Sequence, residues 1–266
     1  MIESRSGQQY TLTTELAHKS GWLIAGRLLA LLLVCSSNIL AADAPKKSAL
    51  ADDATHDPLI KVNKGVYSFN SGIDNGLLKP VARGYEAVMP GPVSHGVTNF
   101  FQNLSEPRVM LNSLLQGKLD RAGISLARFV INTTVGVGGL MDLAKGSGAP
   151  YQDEDFGQTL GVWGWEDGSY IMLPLLGPSN VRDTVGQVVD FFTYPLLYYP
   201  DAPLRNGLFV LRFIDQRANL LNATDIVDEA AAGQDYEFVR EAYEQRRKSQ
   251  IHDGAPPLEG LEFLKD

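Results

Sequence analysis

Side chains able to do chemistry are scattered through this sequence rather than gathered into a reaction centre. Its four histidines are His18, His56, His95 and His252, and no two stand at the spacing that a metal site uses. Asp153, Glu154 and Asp155 are neighbours, but general acid–base work needs two carboxylates facing each other in different environments. Adjacent carboxylates read instead as a solvated charge run. A nucleophile elbow needs Gly-x-Ser-x-Gly, and Gly177-Pro178-Ser179 does not complete it. Gly136-Val137-Gly138-Gly139 follows a helical pattern rather than a strand and lacks the last glycine of a dinucleotide fingerprint. These residues point to no catalytic group, no metal site and no cofactor. The class they favour is a conduit or an interface.

The elements that would build such a conduit are organised around residues 155–183. Turn residues (Gly157, Gly161, Gly164, Gly168, Pro174, Gly177, Pro178) alternate there with short apolar pieces, a density that sets tight turns rather than long regular elements. Ser179 is placed to cap a helix that starts near Val181. Short strands near Leu160 and Tyr170, joined through Glu166-Asp167-Gly168, suggest one hairpin within 160–176.

Elsewhere the periodicity is helical. Asp57 with Pro58 opens a helix whose stripe is Leu59, Val62, Val66, Phe69 and Ile73. Further helices are expected over 77–88, over 93–104, over 109–115 after a turn at Glu106-Pro107, and from Asp120. Residues 129–141 carry no charge, and their length as helix, about 20 Å, is short of the ~30 Å hydrocarbon core. They can enter one leaflet or form a buried core helix, and Gly136, Gly138 and Gly139 demand a bend or a close approach. The run 188–200 is the most aromatic. Phe191, Phe192, Tyr194, Tyr198 and Tyr199 suit a membrane–water boundary, with an internal aromatic cluster as the alternative. Residues 208–221 read as an amphipathic helix with Phe209, Phe213 and Ile214 inside and Arg212 and Arg217 outside. A last helix capped by Asp235 carries a solvated face, 240–248. The fold class is mostly α.

A formal net charge of −8 argues against nucleic-acid binding, which needs clustered Lys and Arg. Residues 1–42 read as a signal peptide: basic Arg5, Lys19 and Arg27, a short apolar block, then small residues at Ala41, Ala42 and Ala44. Cys35, the single cysteine, lies in a weak lipobox, with Val34 where a small residue is usual. Lipidation there and cleavage near Ala42 are the two alternatives. Residues 43–56 form a tether, 57–248 a helical domain and 249–266 a flexible tail.

Seven blocks in order resemble the MlaA/VacJ family: DPLIKVNKGVYSFNSGID (57–74), LKPVARGYEAVMP (78–90), GVTNFFQNLSEP (96–107), LLQGK (114–118), RFVINTTVGVGGLMD (128–142), DFGQTLGVWG (155–164) and LPLLGPSNVRD (173–183). The resemblance implies a single ring-like helical domain at the periplasmic face of the outer membrane, lying in its inner leaflet beside a trimeric porin. An amphipathic central channel would take mislocalised phospholipid from the outer leaflet to a periplasmic lipid carrier. A polar lane is then required, because stripping a head group of its hydrogen bonds costs a few kcal/mol per neutral group. Asn70, Asn132, Thr133 and Thr134 are candidates to line it, with satisfied core amides as the alternative. Phe69, Asn70, Gly136, Gly138 and Gly139 are candidates to shape and gate it. The competing classes are a phospholipase or acyltransferase and a purely structural outer-membrane protein.

Overall fold

A computed structural model describes residues 57–223, 225 and 235–256. The expected signal peptide with Cys35, the tether and the end of the tail lie outside these residues. The described part is mostly helical, as its periodicity predicts.

Helix α1 (Ile60–Ile73) runs through a π-helical turn (Asp74–Leu78) into α2 (Lys79–Val88). Pro80 stands at the second position of α2; it cannot donate a backbone hydrogen bond, so the ladder resets around it. Arg217 grips the π turn bidentately, with Nε and Nη2 at 2.6 and 2.7 Å from the Asp74 carboxylate. Helix α3 (Gly91–Leu115) is continuous through Pro107, where the sequence suggests a break. The proline forfeits one ladder bond, but Asn103, Ser105, Glu106, Val109, Asn112 and Ser113 around it are all buried, and their contacts outweigh that loss. Helix α4 (Leu119–Thr134) packs against α3, and the short α5 (Leu143–Gly146) follows.

Helix α6 (Phe156–Val162) occupies the position expected for the first hairpin strand. Asp155 caps it by accepting from the Gln158 amide at 2.8 Å, which turns Leu160 into a buried helical residue. The hairpin forms one step later. β1 (Tyr170–Leu173) pairs antiparallel with β2 (Gly177–Asn180) in the register Tyr170↔Asn180. The connection is reversed by Leu175 and Gly177, with φ of 63° and 83°. Helix α7 (Val181–Thr193) is capped by Asn180, which accepts from the Asp183 amide at 2.7 Å, not by Ser179. A 3₁₀ turn (Pro195–Tyr198), α8 (Ala202–Asn219) and α9 (Asp235–Ile251) complete the fold. Residues 249–251 belong to α9, and Asp253 pairs with Lys118 and Arg121 at 2.5 and 2.9 Å, so the start of the expected tail is held.

Among the described residues, buried polar and charged side chains outnumber buried apolar ones. Apolar packing is confined to small clusters such as Phe101–Tyr194–Leu196 and Tyr170–Met172–Tyr236. Ion pairs hold much of the rest. Arg247 of α9 reaches Asp155 at 2.7 Å and Asp183 at 2.8 Å. Burial opposes ionisation of Asp155, but the Arg247 contacts and the Gln158 hydrogen bonds win and hold its carboxyl at about 2. Two expectations fall here. Glu154 of the carboxylate trio is buried and bound by Arg121 at 2.6 Å. Arg240 and Arg247, expected on a solvated face, are buried as well. In α8 the expected faces are partly exchanged, with Phe213 exposed and Arg217 committed to Asp74.

Many large apolar side chains face outward. Residues 129–141 do not form a buried core helix: Val135 and Val137 are 67% and 60% exposed, and Val130, Leu140 and Met141 also face outward. No helix among the described residues is long and apolar enough to cross a membrane.

Candidate functional site

The glycine bend is fixed by geometry. After α4 the backbone enters the left-handed region at Val137, Gly138 and Gly139, with φ of 56°, 68° and 93°. A β-branched valine there stores roughly 1–3 kcal/mol of strain. Any side chain at Gly136 would meet the Met141 and Asn132 carbonyl oxygens at 2.4 and 2.5 Å, and one at Gly139 would strike Asn103 at 2.7 Å. The bend is anchored to α3, where Asn99 Nδ2 donates to the Leu140 carbonyl at 3.2 Å and Asn103 Nδ2 to Thr133 Oγ1 at 2.9 Å.

Below the bend lies a buried charge network. The Arg128 guanidinium donates to Glu106, to the Ala149 carbonyl and, at 3.1 Å, to Asp142. Asp142 also accepts from Asn132 Nδ2 at 3.0 Å and caps α5 through the Lys145 amide at 3.1 Å. Burial alone would raise the Asp142 carboxyl, but these donors hold it below its ordinary value. For Glu106 burial prevails over Arg128 and the carboxyl is pushed up.

Two adjoining polar cavities open beside this network. The larger, ≈ 580 Å³, is walled by His95, Thr98, Asn99 and Gln102, one face of α3, and by Asp142, Lys145 and Tyr151 opposite. The smaller, ≈ 390 Å³, is lined by Glu86, Ser94 and Asn222, among others. His95 and Asn219 line both and form the neck between them. Behind the neck Asp215, 2% exposed, accepts from Thr98 Oγ1 at 3.0 Å, from the Tyr85 hydroxyl at 3.1 Å and from Asn219 Nδ2 at 3.3 Å. All three donors are neutral. Burial pushes the Asp215 carboxyl up and these hydrogen bonds only partly offset it.

The candidate channel residues are not among those that line these two cavities. Asn132 is a satisfied amide, donating to Asp142 and accepting from the Ala144 amide at 3.1 Å. Thr134 donates to the Val130 carbonyl at 2.7 Å. Asn70 clamps the hairpin, donating to the Leu173 carbonyl at 2.9 Å and accepting from the Leu175 amide at 2.8 Å; Phe69 beside it is exposed. Of the aromatic run, Phe191, Phe192, Tyr198 and Tyr199 face outward, with Tyr198 68% exposed, whereas Tyr194 is 2% exposed. Tyr194 is thus removed from the expected membrane boundary, because its ring packs on Phe209 and under the Arg212 guanidinium. The polar stripe His95, Thr98, Asn99, Gln102 was legible as i, i+3, i+4, i+7 spacing. The apolar residues of the same helix, Val97, Phe100, Phe101 and Leu104, belong instead to the cluster around Tyr194 and Leu196.

Residues 55–250 match the family described as MlaA lipoprotein. The chain belongs to the MlaA lipoprotein family. It is 37% identical over 194 residues to the intermembrane phospholipid transport system lipoprotein MlaA of Escherichia coli K12, covering 71% of this chain and 76% of that protein. The protein of the same name from Haemophilus influenzae is 34% identical over 216 residues, covering 79% and 85% of the two chains. A solved structure described as the structural basis for maintenance of bacterial outer membrane lipid asymmetry superposes with a TM-score of 0.64 at 35% identity, covering 73% of this chain and 98% of that one. The MlaA match contains both cavities, the glycine bend and the buried charge network.

Proposed function

We propose that this chain is the outer-membrane component of an intermembrane phospholipid transport system. It removes mislocalised phospholipid from the outer leaflet through an amphipathic passage and hands it to a periplasmic lipid carrier, so maintaining lipid asymmetry. Family membership supports the transport system; the many buried polar groups and outward-facing apolar side chains support the passage. Buried charges inside and exposed valines, leucines and aromatics outside suit a body that lies in one leaflet and keeps a wettable interior. An embedded head group keeps its hydrogen bonds only if such an interior exists. The exposed apolar segments are too short to cross a bilayer, which fits seating in the inner leaflet of the outer membrane at its periplasmic face. A trimeric porin is the proposed neighbour of the apolar surface. The leader (1–42) and tether (43–56) deliver the domain there, with Cys35 lipidation or cleavage near Ala42 as the two routes of processing.

The test is deletion and complementation. Outer-leaflet phospholipid, read by its accessibility to an added phospholipase, rises on deletion and returns to the parental amount when the chain is restored. An unchanged outer leaflet on deletion overturns the proposal.

A further inference from the structure

Charge is unevenly divided between the two cavities. In the larger one Asp142 shares Arg128 with Glu106, and Lys145 is the cationic side chain lining the cavity. In the smaller one the charged side chain is Glu86. The neck between them is also oriented. An ionised carboxylate only accepts hydrogen bonds, so Asn219 must turn its Nδ2 toward Asp215 and Thr98, at 3.3 and 3.0 Å. Its Oδ1 is left as an acceptor on a residue that lines both cavities. No cationic side chain among the described residues forms an ion pair with Asp215, so its field acts on the same neck.

The geometry points to a dipolar head-group site. Phosphate sits in the larger cavity against Lys145 and His95, and a primary ammonium sits in the smaller one against Glu86 and Asn219 Oδ1. The head-group class it takes is the phosphoethanolamine type; a phosphoglycerol head group, bearing no cation, leaves Glu86 unmatched. This inference rests on the transport reading and adds to it a preference among lipids.

The full chain is purified from vesicles holding equal amounts of phosphatidylethanolamine and phosphatidylglycerol, and the lipid retained after detergent exchange is quantified by mass spectrometry. Wild type is expected to retain phosphatidylethanolamine in several-fold excess, on the order of the effect of one charge-assisted contact. Glu86→Gln, an isosteric change on an exposed side chain, brings the ratio back to that of the vesicle. Lys145→Gln lowers the total retained lipid of both classes. An unbiased wild-type ratio, a ratio unmoved by Glu86→Gln or a total unmoved by Lys145→Gln overturns the site while leaving transport intact. Retention of no lipid overturns the transport reading with it. A parallel arm measures binding of free phosphoethanolamine; binding of that compound without lipid enrichment would assign the cavities to a soluble ligand and overturn the lipid site.

Discussion

Replacing Arg128 by methionine removes the one cation shared by Glu106, Asp142 and the Ala149 carbonyl. Methionine keeps the length of the side chain, so the loss is mainly electrostatic. Breaking a buried pair from one side costs about 3–5 kcal/mol, because the remaining charge is stranded. For a chain of this size each kcal/mol moves Tm by about 2–4 °C, so the variant should melt roughly 6–20 °C lower. The deficit must also depend on pH. Burial already pushes the Glu106 carboxyl up and Arg128 opposes that shift, so without Arg128 it rises further. A raised folded-state value means stability that is present below the ordinary carboxylate range, near 4.3, and lost as pH rises through the raised value. Asp142 lies below its ordinary value in the wild type, with Arg128 among the causes. The contribution of Asp142 is present above about 3.9 and fades as pH falls below it. The Glu106 effect makes the gap between wild type and variant wider at pH 8 than at pH 5, whereas the Asp142 contribution is fully present at both. Unfolding in detergent, followed by tryptophan fluorescence at the two pH values, measures it. Adding Glu106→Gln to the variant removes the stranded charge and should recover stability. A cost under about 1 kcal/mol, a gap independent of pH, or strictly additive single and double variants would refute the reasoning.

Four further outcomes follow from the bend, the first helix and the outer surface. Gly136→Ala drives a methyl to within 2.4 Å of a backbone oxygen and should cost up to about 3 kcal/mol. Gly138→Leu meets open space, so it should cost only ~1–2 kcal/mol for its left-handed φ; if it folds yet leaves outer-leaflet phospholipid at the parental amount, the bend does not gate the passage. Deleting Phe69 and Asn70 rotates the two parts of α1 by about 200°, so Asn63 loses its hold on the Tyr170 carbonyl and Met172 amide, and the Asn70 clamp is gone. Hydrogen exchange at 170–180 should accelerate and outer-leaflet phospholipid change; unaltered exchange would sink this account. Phe191→Asp with Tyr198→Asp should loosen the protein from membranes in alkaline extraction, whereas Tyr194→Phe should not, because only the first two face outward.

Much of the fold was legible because helical periodicity survives wherever one face meets a core, as in α1. The failures share a cause. Asp155 and Asn180 each sit one residue before a helix, and their side-chain caps decide where α6 and α7 begin; a pattern of apolar residues does not weigh capping bonds. Local propensity argues for a break at Pro107, and tertiary burial overrides it. Charge alone places Glu154, Arg240 and Arg247 in solvent, yet their partners lie 33, 183 and 92 residues away in Arg121, Asp57 and Asp155. No local window contains such pairs. The cavity walls were half legible. The stripe on α3 is periodic, while Lys145, Tyr151 and Asn219 meet it only through the tertiary fold.

The same long-range pairs explain why a protein with this surface folds into one arrangement. For a domain seated in a leaflet, as proposed above, exposing Val135 or Leu140 to hydrocarbon carries little penalty, so apolar burial gives no strong drive for helices to associate. What remains to specify packing is polar: buried groups must find partners, and each unmatched one is costly. Arg128 ties α4 to α3, Arg247 ties α9 to α6 and α7, and Arg217 ties α8 to the π turn. These ties can hold the interior open, because charged side chains keep their geometry through directed bonds rather than by filling space. A hydrophobic core of equal strength would close the cavities it surrounds, and a wettable passage would be lost. The polar interior is therefore what the proposed passage requires, and the ion pairs are what stabilise that interior.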